Sequence, residues 1–115
     1  MSSERETLRL RDIVENIDRI VRYTDDVDPE DFGEDQKTVD AVERRLQRIT
    51  EGAIKIGADR MSESSPSLPW HAVRGLGNLL RHEYDVIDHE VIWKTVTGRL
   101  PILRTDCLDA LGETS

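Results

Sequence analysis

The residues best suited to chemistry are crowded into one stretch, Trp70 to Asp85, which reads WHAVRGLGNLLRHEYD. It holds Arg74, Asn78, Arg81, His82 and Tyr84. Histidine titrates near neutrality and serves as a general acid or base. Arginine grips phosphate and stabilises charge that develops on it. On a helix, Arg74, Asn78 and His82 fall at i, i+4 and i+8. Each step drifts only ~40° around the axis, so the three share a face. They rise ~6 Å per step, which leaves Arg74 and His82 ~12 Å apart along one helix. Asn78 reaches either neighbour. Arg74 and His82 converge on one small group only if two such helices cross near Asn78. The alternative for each residue is plain. A polar stripe backed by Val73, Leu76, Leu79 and Leu80 is also what a surface helix shows. His82 also suits a helix C-terminus, and Tyr84 a helix end.

Other chemistries are poorly served. The single cysteine, Cys107, allows no thiolate cluster and no intrachain disulfide, and no HExxH pair occurs. Gly75 and Gly77 stand mid-helix rather than between strand and helix, so no phosphate loop is formed. No serine or cysteine nucleophile motif is visible. Neither a metal nor a cofactor is therefore expected. His71 and His89 have no spaced partner and are read as exposed.

The elements that must position this stretch are helical. Leu10, Ile13, Val14, Ile17, Ile20 and Val21 recur at helical steps within residues 3–24, with Ser3 and Glu6 spaced as a capping box. The acidic stretch Thr24 to Asp35 contains Pro29 and Gly33 and reads as a loop or short turn. Val39, Val42, Leu46, Ile49, Ala53 and Ile56 define a second helix over about 34–58, whose narrow stripe suits a bundle seam. Gly52 and Gly57 weaken it, unless Gly52 admits a close backbone approach. Residues 61–69, MSESSPSLP, read as a loop. A third helix opens near Pro69 or Trp70 and ends near His82 or Tyr84. A fourth, capped by Asp88, runs to about Thr97 and turns Ile92, Trp93 and Val96 inward. After Gly98, Pro101 opens a last helix carrying Ile102, Leu103, Cys107, Leu108 and Leu111. The expectation is an all-α, four- to five-helix up-down bundle over a single domain, residues 1–115.

At 115 residues with a net charge of −8, the chain lacks the basic field of a bulk nucleic-acid binder. A local basic site remains open to it. Arg74, Arg81, Arg99 and Arg104 favour the C-terminal half for one. No apolar run approaches the ~20 residues of a membrane span. A charged N-terminus and one cysteine suit the cytoplasm.

PWHAVRGLGNLLRHEYDVID followed by VIWKTVTGRLPIL resembles the HepT family, a branch of the HEPN domains. KTVDAVERRLQRITEGAIKIG is similar to the family's second helix, and the resemblance spans nearly the whole chain. It implies a bundle of HEPN type that forms a homodimer and cuts RNA without a metal. It also implies a two-gene toxin–antitoxin module whose antitoxin, a MntA-like nucleotidyltransferase, silences the toxin by AMP transfer to a tyrosine. On this chain His82 would be the catalytic histidine, Asn78 its motif neighbour and Tyr84 the AMP acceptor. The chain departs at one position: Gly77 stands where the family places its motif arginine. Arg74 and Arg81 are the candidates to replace it. The alternative is a catalytically inactive HEPN-fold subunit that pairs with the nucleotidyltransferase.

Overall fold

A computed structural model describes residues 4–66, 74, 75, 77, 80 and 88–112. Among these residues the fold is all-α, with no strand. The first long helix, α1, is Glu4–Thr24, and the second, α3, is Gln36–Ile56. Short α2, Pro29–Glu34, joins them. The contacts Asn16–Arg45 and Ile13–Gly52 make α1 and α3 antiparallel. Ile13, Ile17 and Ile20 from α1 and Val42, Leu46 and Ala53 from α3 are buried along this seam. The helical period places them there, because steps of three and four return each side chain to one face.

Gly52 sits on the seam. A Cβ at Gly52 would lie 3.3 Å from Ile13 Cγ1, so the missing side chain seats an isoleucine rather than another backbone. Asn16, also buried, donates from Nδ2 to the Asp12 carbonyl at 2.8 Å and accepts from Arg45 Nη1 at 3.1 Å. Both ends of this buried amide are therefore satisfied. Val21 lies off the seam and is exposed. Ser3, the expected cap, lies outside the described residues.

The acidic connection is more structured than a loop. Asp28 caps α2 by accepting from the Asp31 N–H, with Pro29 in the first turn. Asp35 caps α3 by accepting from both Thr38 N–H and Thr38 Oγ1. These bonds, the side-chain one foremost, hold the Asp35 carboxyl below its usual range. Packing demands the short helix: Phe32 is fully buried, its ring 5.1 Å from that of Trp93.

Two boundaries differ from those expected. The α3 helix stops at Ile56, because Gly57 takes φ +101, a value open to glycine. Residues Ala58–Ser64 are then helix α4 rather than part of a loop. Met61 is buried there, and buried Ser65 donates from Oγ to Asp106 Oδ2 at 2.6 Å. At the C-terminal end, Gly98 does not break the chain. Helix α5, His89–Lys94, passes through a π-helical turn, Thr95–Arg99, into α6, Leu100–Leu111. Asp88 caps α5 as expected, accepting from Glu90 N–H at 2.9 Å.

The π turn has two causes. Pro101 has no N–H to give the Thr97 carbonyl, and its ring crowds the preceding turn. Widening that turn, with the Leu100 N–H bonded to the Thr95 carbonyl, makes room. Ile92, Val96 and Leu100, all buried, are also spaced by four, which drifts ~40° per step on an α-helix. The wider turn absorbs that drift. Beyond it Leu103, Cys107 and Leu108 are buried, whereas Ile102 is exposed. Helix α6 lies along α1, tied by Arg104 Nε to Asp18 Oδ1 at 2.7 Å.

Two measurements check this packing. Phe32→Ala should cost about 3–5 kcal/mol in urea unfolding, the range for losing a buried aromatic. A loss below 1 kcal/mol would show that α2 is not docked on Trp93. Burial foremost, and then the Asp106 charge, push the Cys107 thiol up to about 12. The folded thiol should ignore a thiol reagent at pH 8 that labels it rapidly in denaturant. An unfolded thiol ionises near 9, so stability should fall as pH rises from there toward 12.

Candidate functional site

Of the residues expected to act, only Arg74 lies among those described. Asn78, Arg81, His82 and Tyr84 lie outside them, as do Trp70, His71 and the ends of the third helix. Arg74, Gly75, Gly77 and Leu80 are helical, in keeping with a helix through this stretch. Arg74 and Gly75 are exposed, Gly77 is buried and Leu80 packs partly against the core. The expected division of faces, an arginine outward and a leucine inward, is seen at Arg74 and Leu80.

Gly77 occupies a contact rather than a gap. A Cβ there would lie 3.3 Å from both Cβ and Oγ1 of Thr50 and 3.5 Å from Ile54 Cδ1. Thr50 is itself fixed: it is buried, and its hydroxyl donates to the Gln47 carbonyl at 3.0 Å. The position that would hold the motif arginine therefore faces α3, and the helix can approach that closely because it carries no side chain there. An arginine at 77 would have to push past Thr50 before its guanidinium reached solvent.

The other cations expected to form a basic site are divided. Arg104 is spent on Asp18 across the α1–α6 contact. Arg99 is exposed at the end of the π turn. His89 is also exposed, but its ring rests over Gly33 and helps hold α2 against α5.

A second basic surface was not anticipated from local spacing. The N-terminal half of α1 and the C-terminal half of α3 flank an open groove of about 410 Å³. Arg5, Arg9, Arg48 and Lys55 line it, with Asp12 and Glu51. The signal was present in the charge per helix. Helices α1 and α3 carry ten of the 16 basic side chains but eight of the 24 acidic ones. The connection from Asp25 to Asp35 carries seven acidic residues and no basic one.

The role of Gly77 is tested against its neighbour. Gly77→Arg should lower the thermal midpoint, because the side chain enters the α3 contact. Gly75→Ala, at an exposed helical position, should raise stability by up to about 1 kcal/mol. Equal midpoints for Gly77→Arg and the parent chain would remove the packing role.

The ribonuclease HepT-like family model matches residues 13–108. A protein of Thermococcus cleftensis named a probable ribonuclease HepT is 37% identical over 95 residues, covering 83% of this chain and 86% of the relative. Two proteins of Methanocaldococcus jannaschii, each named as a candidate RNase, are also similar. One is 35% identical over 92 residues, covering 80% of this chain and 75% of the relative. The other is 33% identical over 97 residues, covering 84% and 88%. No solved structure gives a significant match. With a match running from the first core isoleucine of α1 to the last buried leucine of α6, the chain belongs to the HepT-like ribonuclease family.

Proposed function

We propose that this protein is a metal-independent endoribonuclease, the toxin of a two-gene toxin–antitoxin module. It works in the cytoplasm as a homodimer, folded as one domain. The observation that carries the reading is family membership over residues 13–108, on a chain that keeps Asn78-x-x-x-His82-x-Tyr84. In the proposed reaction the 2′-oxygen of the RNA attacks the adjacent phosphorus and the bond to the 5′-oxygen breaks. His82 takes or returns the proton, and Asn78 orients the reacting groups. The arginine charge on the phosphorane comes from Arg74 or Arg81. Exposure of Arg74 on its helix favours it as a residue that substrate can meet. The antitoxin is a MntA-like nucleotidyltransferase that transfers AMP to Tyr84. The added phosphate would sit two residues from His82 and repel RNA.

A second reading has one specific observation behind it. The buried contact of Gly77 with Thr50 leaves the usual arginine position filled by packing. A HEPN-fold subunit that binds the nucleotidyltransferase without cutting RNA would tolerate that.

Incubation of purified protein with total RNA separates the two. Cleavage by the parent chain and loss of about 10²-fold or more in His82→Ala supports the nuclease. Co-expression with the nucleotidyltransferase should add AMP, seen by intact mass, and Tyr84→Phe should abolish the addition. AMP addition without any cleavage by the unmodified chain would leave the binding subunit as the correct reading.

A further inference from the structure

We propose that the groove between α1 and α3 is a binding surface for the phosphate backbone of single-stranded RNA. The inference rests on the ribonuclease reading for its substrate class and on separate residues for its location.

The groove is built by helix packing. Its floor includes Gly52, whose missing side chain seats Ile13 and draws the two helices together. Its walls supply four cations, Arg5, Arg9, Arg48 and Lys55, against the carboxylates of Asp12 and Glu51. The surplus is positive on a chain whose net charge is −8. Such segregation has an electrostatic cost, since dispersing these cations among the acids of the Asp25–Asp35 connection would reduce repulsion in both places.

The pairing pattern sharpens the point. Several cations elsewhere are committed: Arg60 to Glu6 and Glu63, Arg104 to Asp18, Arg19 to Glu15, and Arg45 to Asn16. Among the described residues, none of the four groove cations forms an ion pair. Their guanidinium and ammonium groups therefore remain available to an anion. A groove that is open and about 410 Å³ in volume suits a chain passing through rather than an enclosed small molecule. Regularly repeated phosphates are the anion that matches four cations spread over two helices.

The location is also apt. Thr50 and Ile54 meet the helix of Arg74 and Gly77, while Glu51 and Lys55, each one residue on, line the groove. One residue turns ~100° around an α-helix, so the groove lies around the flank of α3 from that helix. The separation is on the order of one helix diameter, ~10 Å. A strand of a few nucleotides spans it. The groove would hold the flanking backbone while a phosphate lies at the Arg74 face.

The test uses the full-length chain in a His82→Ala background, so that RNA stays intact. Binding of a fluorescent 12-mer of single-stranded RNA is followed by anisotropy at several salt concentrations. Arg9→Gln combined with Arg48→Gln should lower the slope of log K against log salt by about 1.4, or about 0.7 per lost phosphate contact. Affinity at 0.1 M salt should fall about 25-fold, the factor implied by that slope. Arg19→Gln with Lys94→Gln, which removes the same charge away from the groove, should change both quantities much less. Equal losses in the two double variants would show a general charge effect and overturn the proposal. Unchanged slope and affinity in Arg9→Gln/Arg48→Gln, with a native circular dichroism spectrum, would overturn it too. Loss of dimer in that variant with an unaltered slope would assign the groove to a second copy instead. These readouts do not depend on cleavage. A parent chain that binds RNA through the groove yet cuts none would overturn the nuclease reading alone.

Discussion

The close antiparallel contact of α1 and α3 is the constraint on which the rest depends. It requires a residue without a side chain at 52 and an isoleucine opposite it at 13. That contact sets the spacing of the two longest helices, which in turn receive everything else. Helix α6 lies along α1, α2 closes the connecting end against Trp93, and the helix bearing Arg74 meets α3 at Gly77. Asn16 adds specificity. Its buried amide is satisfied only when Arg45 lies opposite, so sliding α3 by one turn would strand a polar group in the core.

Glycines at interfaces thus do two distinct jobs. Gly52 permits the seam, and Gly77 permits a second helix to lie against Thr50. In both cases the conformational cost of glycine in a helix is offset by packing that a larger residue would prevent. For a family read through an arginine at position 77, this gives the departure a physical sense. The residue there supports the bundle, while Arg74, three residues earlier, is exposed.

Much of the fold was legible because it rests on period. The stripes of α1 and α3, the Asp88 cap and the inward turn of Ile92 and Val96 follow from spacing and local chemistry. Helices α2 and α4 were not legible, since each is under two turns long and exists to bury one residue, Phe32 or Met61. Their stability comes from tertiary contact, which a local pattern does not encode. Gly98 misled for a related reason. A glycine and a proline three residues apart usually mark a break, but here a wider turn accommodates the proline. At the site, residue types and family pattern were readable, and the exposure of Arg74 agrees with the expected face. The contact that claims Gly77 was not readable, because it depends on which residues of α3 lie opposite. Nor was the α1–α3 groove, whose cations are some forty residues apart in the chain and adjacent only across the seam.

The π turn at Thr95–Arg99 amounts to one surplus residue wound into an otherwise continuous helix. It decouples the two halves of that helix. The half before it keeps Ile92 under α2, and the half after it keeps Leu103 and Cys107 against the core, each in its own rotational setting. Winding the same residues as a regular α-helix would turn one half relative to the other by ~100°. The bundle would then present Ile102 or Arg104 where Leu103 now packs. The surplus residue therefore acts as a phase adjuster, and it lets two segments evolve against different neighbours while remaining a single mechanical rod.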